Sequence, residues 1–177
     1  MSDAPLAIAR NAVALLDEAE FLFLHERYPR AAALAVLAAE EAGKFWLHDI
    51  KPKGWRRMLD RHSDKIGVGA RFHERGRTAG GTVLKSTVGM VETFAGASSQ
   101  PEYEQWYERA QGFLPLKEAG VYVDLDDDAN LASEPFIAVG KDAAAECLAY
   151  ARSEVQRLYA AEIVQQALPL TPPRGRA

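Results

Sequence analysis

The chain has 177 residues, 48% of them hydrophobic and 26% charged, with 21 Lys and Arg against 25 Asp and Glu for a net charge of −4, the composition of an ordinary globular domain. A chain of this length buries roughly two thirds of the surface it would expose unfolded, and its single cysteine, Cys147, excludes an intrachain disulfide and a thiolate zinc cluster, as suits a reducing cytoplasmic setting. The longest uncharged run, residues 163–173, is 11 residues long with three prolines, so no membrane span is expected, and Met1-Ser2-Asp3-Ala4-Pro5 lacks the basic segment that begins a signal peptide.

Helical patterns dominate the chain. Over residues 5–27, Ala9, Ala12, Val13, Leu16, Ala19 and Phe23 recur at spacings of three and four, the stripe of an amphipathic helix that an early Pro5 can open. Pro29 marks the break. Residues 30–49 predict a second helix whose run from Ala31 to Ala39 is apolar on nearly every side, which places it at the centre of a bundle. Lys51-Pro52-Lys53-Gly54 is a turn, and a short helix is expected over residues 55–66 before Gly67 and Gly69 interrupt it. Residues 70–97, loosened by Gly76, Gly80 and Gly81, are expected to be helical only in part. Ser98-Ser99-Gln100-Pro101 opens a further helix, with Glu102 and Glu104 near its positive end, which continues to Ala119 with an interruption at Pro115. Val121-Tyr122-Val123-Asp124 is the one strand-like run, too short for a sheet of its own, and an acidic loop follows it to Pro135. Asp142 is placed to cap a final helix with Ala144, Cys147, Leu148, Ala151, Val155, Leu158 and Tyr159 on one stripe. These elements predict an all-α, antiparallel bundle of four to five helices, a single domain over residues 1–168 with a disordered tail over 169–177.

The net charge is a difference between local fields. Residues 1–50 hold 4 basic and 8 acidic side chains, 51–85 hold 10 and 3, 86–134 hold 2 and 10, and 135–177 hold 5 and 4. The +7 stretch can attract a polyanion, or it can face the −8 stretch beside it as one of two oppositely charged helices.

The usual chemistries of a carboxylate-rich bundle do not fit. A di-iron centre needs Glu three residues before His on inward-facing helices, and the residues three before the four histidines are Leu22, Phe45, Leu59 and Ala70. Asp124, Asp126, Asp128 and Asn130 imitate an EF-hand loop, but Ala129 stands at its glycine turn and Pro135 where the bidentate glutamate belongs. Gly76-Arg77-Thr78-Ala79-Gly80-Gly81 has neither the preceding strand nor the lysine of a phosphate loop. Neither a metal nor a cofactor is expected.

The most suggestive segment is Trp55-Arg56-Arg57-Met58-Leu59-Asp60-Arg61-His62-Ser63-Asp64-Lys65. Arg57 and His62 stand five residues apart, about 140° around a helix, a separation that long side chains can bridge. Such a pair can cleave RNA without a metal. A histidine side chain, titrating at about pH 6.5 when unperturbed, moves the proton of the 2′-hydroxyl or of the leaving group, while an arginine stabilises the phosphorane. A lone solvent-facing histidine satisfies the same spacing. A second feature, Glu40-Glu41-Ala42-Gly43-Lys44, closes the apolar helix. Glu41 continues the stripe of Leu34 and Leu37, so its carboxylate is expected to face packed surface and to need a partner: Lys44, His48 or a basic residue of the 56–65 helix, which Gly43 would let approach closely. A structural ion pair and a catalytic carboxylate both fit that pattern.

In combination, Tyr28-Pro29-Arg30-Ala31-Ala32-Ala33-Leu34-Ala35, Glu40-Glu41-Ala42-Gly43-Lys44, His62-Ser63-Asp64-Lys65, and Gly120-Val121-Tyr122-Val123-Asp124 with Pro135 beyond resemble the AbiV family, abortive-infection proteins of bacteria within the HEPN superfamily of helical bundles. The likeness extends over about residues 7–160. It implies a HEPN fold, a role in phage defence and a homodimer. In RNA-cleaving HEPN proteins an arginine, four to six further residues and a histidine from each of two protomers form one composite cleft; Arg57 matches with four residues before His62, and Arg56 with five. Those enzymes usually carry Asn, Asp or His directly after the arginine, whereas Met58 follows Arg57 and Arg57 follows Arg56. Two classes of function are implied. One is a metal-independent RNase with Arg57 and His62 catalytic and Arg56, Arg61, Lys65, Glu41 and Lys44 binding or supporting. The other is a non-catalytic bundle that binds a phage or host protein.

Overall fold

Alanine sets how closely the helices of this protein approach. In the computed structural model, which describes residues 4–51, 53–66, 108, 111–122, 124–125, 131–133, 135–159, 161 and 164, helix α1 (Ala4–Leu24) buries Ala9, Ala12, Leu16 and Ala19. Helix α2 (Tyr28–Ile50) buries Ala31, Ala32, Ala35, Ala38, Ala39 and Ala42 along with its larger apolar side chains. The turn between them is short, so the two run antiparallel as a helical hairpin. Glu26 takes a left-handed φ of +59° there, and Pro29 follows inside the first turn of α2. The break thus falls before Pro29, because a first-turn residue needs no N–H donor.

After the Lys51 cap, the expected single helix over 55–66 divides in two. Helix α3 (Trp55–Met58) and helix α4 (His62–Lys65) are separated by Leu59, Asp60 and Arg61, and Arg61 is extended at φ −107° and ψ 122°. Gln111 and Gly112 are helical, Phe113 is a turn, and helix α5 (Leu114–Ala119) then starts anew with Pro115 in its first turn, so the expected interruption falls just before that proline, while the expected start at Ser98–Pro101 lies outside the described residues. Strands β1 (Asp124–Leu125) and β2 (Leu131–Ser133) pair antiparallel across the acidic loop; of the strand-like run only Asp124 takes part, Val121 lying in a turn. Two such short strands leave the architecture an all-α bundle. Helix α6 (Pro135–Ala138) leads to α7 (Lys141–Leu158), which begins at Gly140 with no side-chain cap; Asp142 lies in the first turn and acts on the helix dipole.

Helix α2 is the hub, in contact with every other helix of the described chain. Helices α1 and α7 cover its broad faces and each other, and Phe45, Leu16, Leu47, Leu148 and Leu158 are fully buried where they meet. An ion pair from Arg152 Nε to Glu20 Oε1, at 2.6 Å, joins α7 to α1 at the partly exposed rim. Among the described residues no helix is long and apolar enough to cross a membrane. Residues 70–97, the aspartates 126–128 and the tail at 169–177 lie outside the described residues.

Two close approaches position α4 and α5. A Cβ placed on Gly43 of α2 would lie 1.8 Å from the Lys65 carbonyl oxygen, and one on Gly120 would lie 2.3 Å from the Pro29 carbonyl oxygen. Neither backbone oxygen can retreat as a flexible side chain would. Gly43→Ala is therefore expected to destabilise the fold by about 1–3 kcal/mol, a fall in Tm of about 2–4 °C per kcal/mol, whereas Gly112→Ala, with nothing within 4 Å, is neutral or stabilising. Parallel thermal melts check both. Burial, followed by the nearby Glu146 carboxylate, pushes the Cys147 thiol up from 9.0 to about 12. Its neutral form favours the native state below pH 9, and that contribution is lost as the pH rises through 12. Ellman's reagent at pH 8 should leave Cys147 unmodified in the folded protein and react with it in guanidinium.

Candidate active site

Val36, Glu40, Gly43 and Leu47 succeed one another at spacings of four, three and four, so they form one stripe along α2. A carboxylate on that stripe points into packed protein: Glu40 is only 2% exposed. Desolvating an unpaired carboxylate costs several kcal/mol. The cost is offset by donors from two other elements. His62 Nδ1 lies 2.6 Å from Glu40 Oε2 and Lys65 Nζ lies 3.6 Å from the same oxygen, both delivered by α4. Lys117 Nζ, from α5, donates to Glu40 Oε1 at 2.8 Å and lies 3.1 Å from His62 Nδ1.

Local backbone explains the delivery. The break at Leu59–Arg61 turns the chain so that His62 and Lys65, three apart, share one face of the single turn of α4. Gly43 then lets that turn lie directly on α2, which buries Lys65 to 5% exposure and closes the Glu40 pocket from one side. The 2.6 Å contact also fixes the histidine tautomer. A bare Nδ1 there would set its lone pair against a carboxylate lone pair, so Nδ1 carries the proton and donates it to Glu40. Nε2 is left for other chemistry, on a side chain that is 57% exposed. A buried carboxylate thus holds an exposed imidazole in one orientation, the arrangement in which a histidine exchanges protons with a bound substrate.

The other residues singled out from the sequence are distributed around this centre. Glu41, itself largely buried, pairs with Lys44 one turn along α2, one of the partners expected for it, while the carboxylate that meets α4 is its neighbour Glu40. Sequence alone could not separate them, because α2 is apolar on nearly all sides. Arg57 lies exposed on α3, its guanidinium beside Gly54, where a Cβ would meet Nη2 at 3.7 Å. The 140° wheel relation to His62 does not apply across the broken helix, and no hydrogen bond joins the two among the described residues. Arg56 lies over the Trp55 ring, 5.6 Å from its centroid, and Arg61 is exposed in the extended link. Lys117 was not anticipated. Its one signal was that it and Arg109 are the only basic residues of the acidic 86–134 stretch. No group of three metal-binding side chains assembles among the described residues.

Removing Glu40 leaves Lys65 and Lys117 in desolvated positions without their counter-charge. Glu40→Ala is expected to cost about 3–5 kcal/mol, more than Glu41→Ala, whose ion pair with Lys44 is partly exposed. Chemical denaturation of the two variants compares them directly.

A family model, HEPN_AbiV, described as AbiV, matches residues 1–156. No curated protein and no solved structure matches the chain. The helical hairpin, the third long helix across it and the Glu40-centred cluster all lie within or at the edge of the matched span. With most of its length accounted for by that model, the chain belongs to the AbiV family of the HEPN superfamily, a family of abortive-infection proteins that act in phage defence.

Proposed function

We propose that this protein is a metal-independent endoribonuclease of phage defence, acting in the cytoplasm as a homodimer, with His62 as its proton-transfer group. The supporting observation is the His62 imidazole itself: Nδ1–H is held by the buried Glu40 while more than half of the side chain faces solvent. In the reaction His62 Nε2 takes the proton of an RNA 2′-hydroxyl, the 2′-oxygen bonds to phosphorus, and the bond from phosphorus to the 5′-oxygen breaks. The departing oxygen takes a proton from the His62 imidazolium of a second copy, leaving a 2′,3′-cyclic phosphate. Glu40 is a positioning residue, and Lys117 and Lys65 pair with its carboxylate and hold it in place. Arg57, with Arg56 and Arg61, supplies exposed cations for the phosphorane charge. Glu41 and Lys44 support the α2 surface beside the cluster.

A second reading, a non-catalytic binder of a phage or host protein, is favoured by Phe21 and Leu24, which are 60% and 76% exposed at the end of α1. The decisive experiment incubates purified protein with total RNA in EDTA. The RNase reading expects cleavage with cyclic phosphate ends, and His62→Ala lowering the rate by about 10²–10⁴-fold with the helical circular dichroism unchanged. Glu40→Gln should lower kcat and displace the pH–rate profile while KM is kept. Full cleavage by His62→Ala would sink the reading, and phage protection retained by that variant would favour the protein-binding alternative.

A further inference from the structure

At the hairpin end of the bundle, away from His62, lies a pocket of about 430 Å³ lined by Leu22, Arg27, Pro29, Arg30, Val121 and Pro135. Its volume falls within the roughly 300–1,000 Å³ typical of small-ligand sites. Four walls are apolar and two carry guanidinium groups. Arg27 and Arg30 are exposed, and neither has an acidic partner among the described residues. They flank the start of α2, which has no acidic residue in its first turn and no side-chain cap, so two positive charges stand where the helix dipole already disfavours them. An anion is the missing counterpart. Apolar walls beside the guanidinium pair suit a ligand with a flat or greasy body next to its charge.

We propose that this pocket binds a nucleotide, with the phosphate taken by Arg27 and Arg30 and the base laid against the apolar walls. Guanidinium groups match phosphate oxygens in bidentate fashion, and bases stack on apolar and aromatic side chains without regard to sequence. A linear acidic peptide is recognised along an extended groove or strand edge, whereas this hollow has the volume of one small ligand. Its place in the fold gives it a use. Pro29 stands three helical turns before Glu40 on the same stripe of α2, about 16 Å away at 1.5 Å per residue, and α5 bridges the two, with Lys117 at Glu40 and Gly120 on Pro29. A single RNA strand whose scissile phosphate lies at His62 can place a nucleotide more than one step along the strand here. That use rests on the RNase reading; nucleotide binding by the pocket does not.

The test is calorimetric titration of the full chain with AMP and UMP, and anisotropy titration with fluorescein-labelled single-stranded oligoadenylate in EDTA. Wild type is compared with the Arg27→Glu, Arg30→Glu double variant and with Val121→Trp, which fills the hollow without changing charge. All three positions are exposed, and circular dichroism confirms that each variant is folded. Both variants are expected to weaken binding by about tenfold or more. Weakening for mononucleotide and oligonucleotide together identifies a nucleotide unit of RNA as the ligand; weakening for mononucleotides alone identifies a free nucleotide, and either result supports the pocket. Equal affinity in wild type and both variants overturns it, as does wild type that ignores nucleotides yet captures polyglutamate through the same arginines. Binding is read without cleavage, so a protein that binds nucleotides here but leaves RNA intact refutes the RNase and not the pocket.

Discussion

The buried carboxylate of Glu40 ties three separate elements of this bundle. It is nearly inaccessible to water, yet it accepts hydrogen bonds from His62 on α4 and Lys117 on α5 and has Lys65 within ion-pair distance. Helices α4 and α5 are short, four and six residues, and such lengths are not stable as isolated helices. Their positions follow from what they dock against, and the charged centre supplies direction that apolar packing lacks. Removing one member of such a buried ionic centre is costly because it leaves the others uncompensated.

The same centre connects stability to chemistry. A histidine exposed on a surface turn would rotate freely, whereas His62 is fixed through Nδ1 and presents Nε2 outward. Two lysines beside one carboxylate leave a local excess of positive charge, which suits a phosphate-bearing substrate. Arg57 and Arg56 extend that field along α3, and Arg27 and Arg30 carry it to the hairpin end. His62 and Lys65 of the basic stretch and Lys117 of the acidic one converge on a carboxylate from a third segment.

Small residues make this convergence possible. The alanines of α1 and α2 bring the hairpin close, and Gly43 and Gly120 admit backbone carbonyls where any side chain would collide. Gly43 lies three residues from Glu40, so the contact that seats α4 and the charge that orients its histidine occupy one stretch of α2.

Periodicity in the sequence determined the long helices, their buried stripes and the central place of α2, because a 3.6-residue repeat of apolar side chains has one way to bury itself. It also marked Gly43 as a place of close approach. Tertiary structure alone decided that the 55–66 segment breaks at Leu59–Arg61, since four-residue helices gain too little from local hydrogen bonds to hold without their neighbours. It decided between Glu40 and Glu41, adjacent carboxylates on a helix apolar on nearly every side, by what stood opposite each. And it brought Lys117 to Glu40 across 77 residues of chain, a meeting that no local pattern encodes because it depends on where α5 lies on α2.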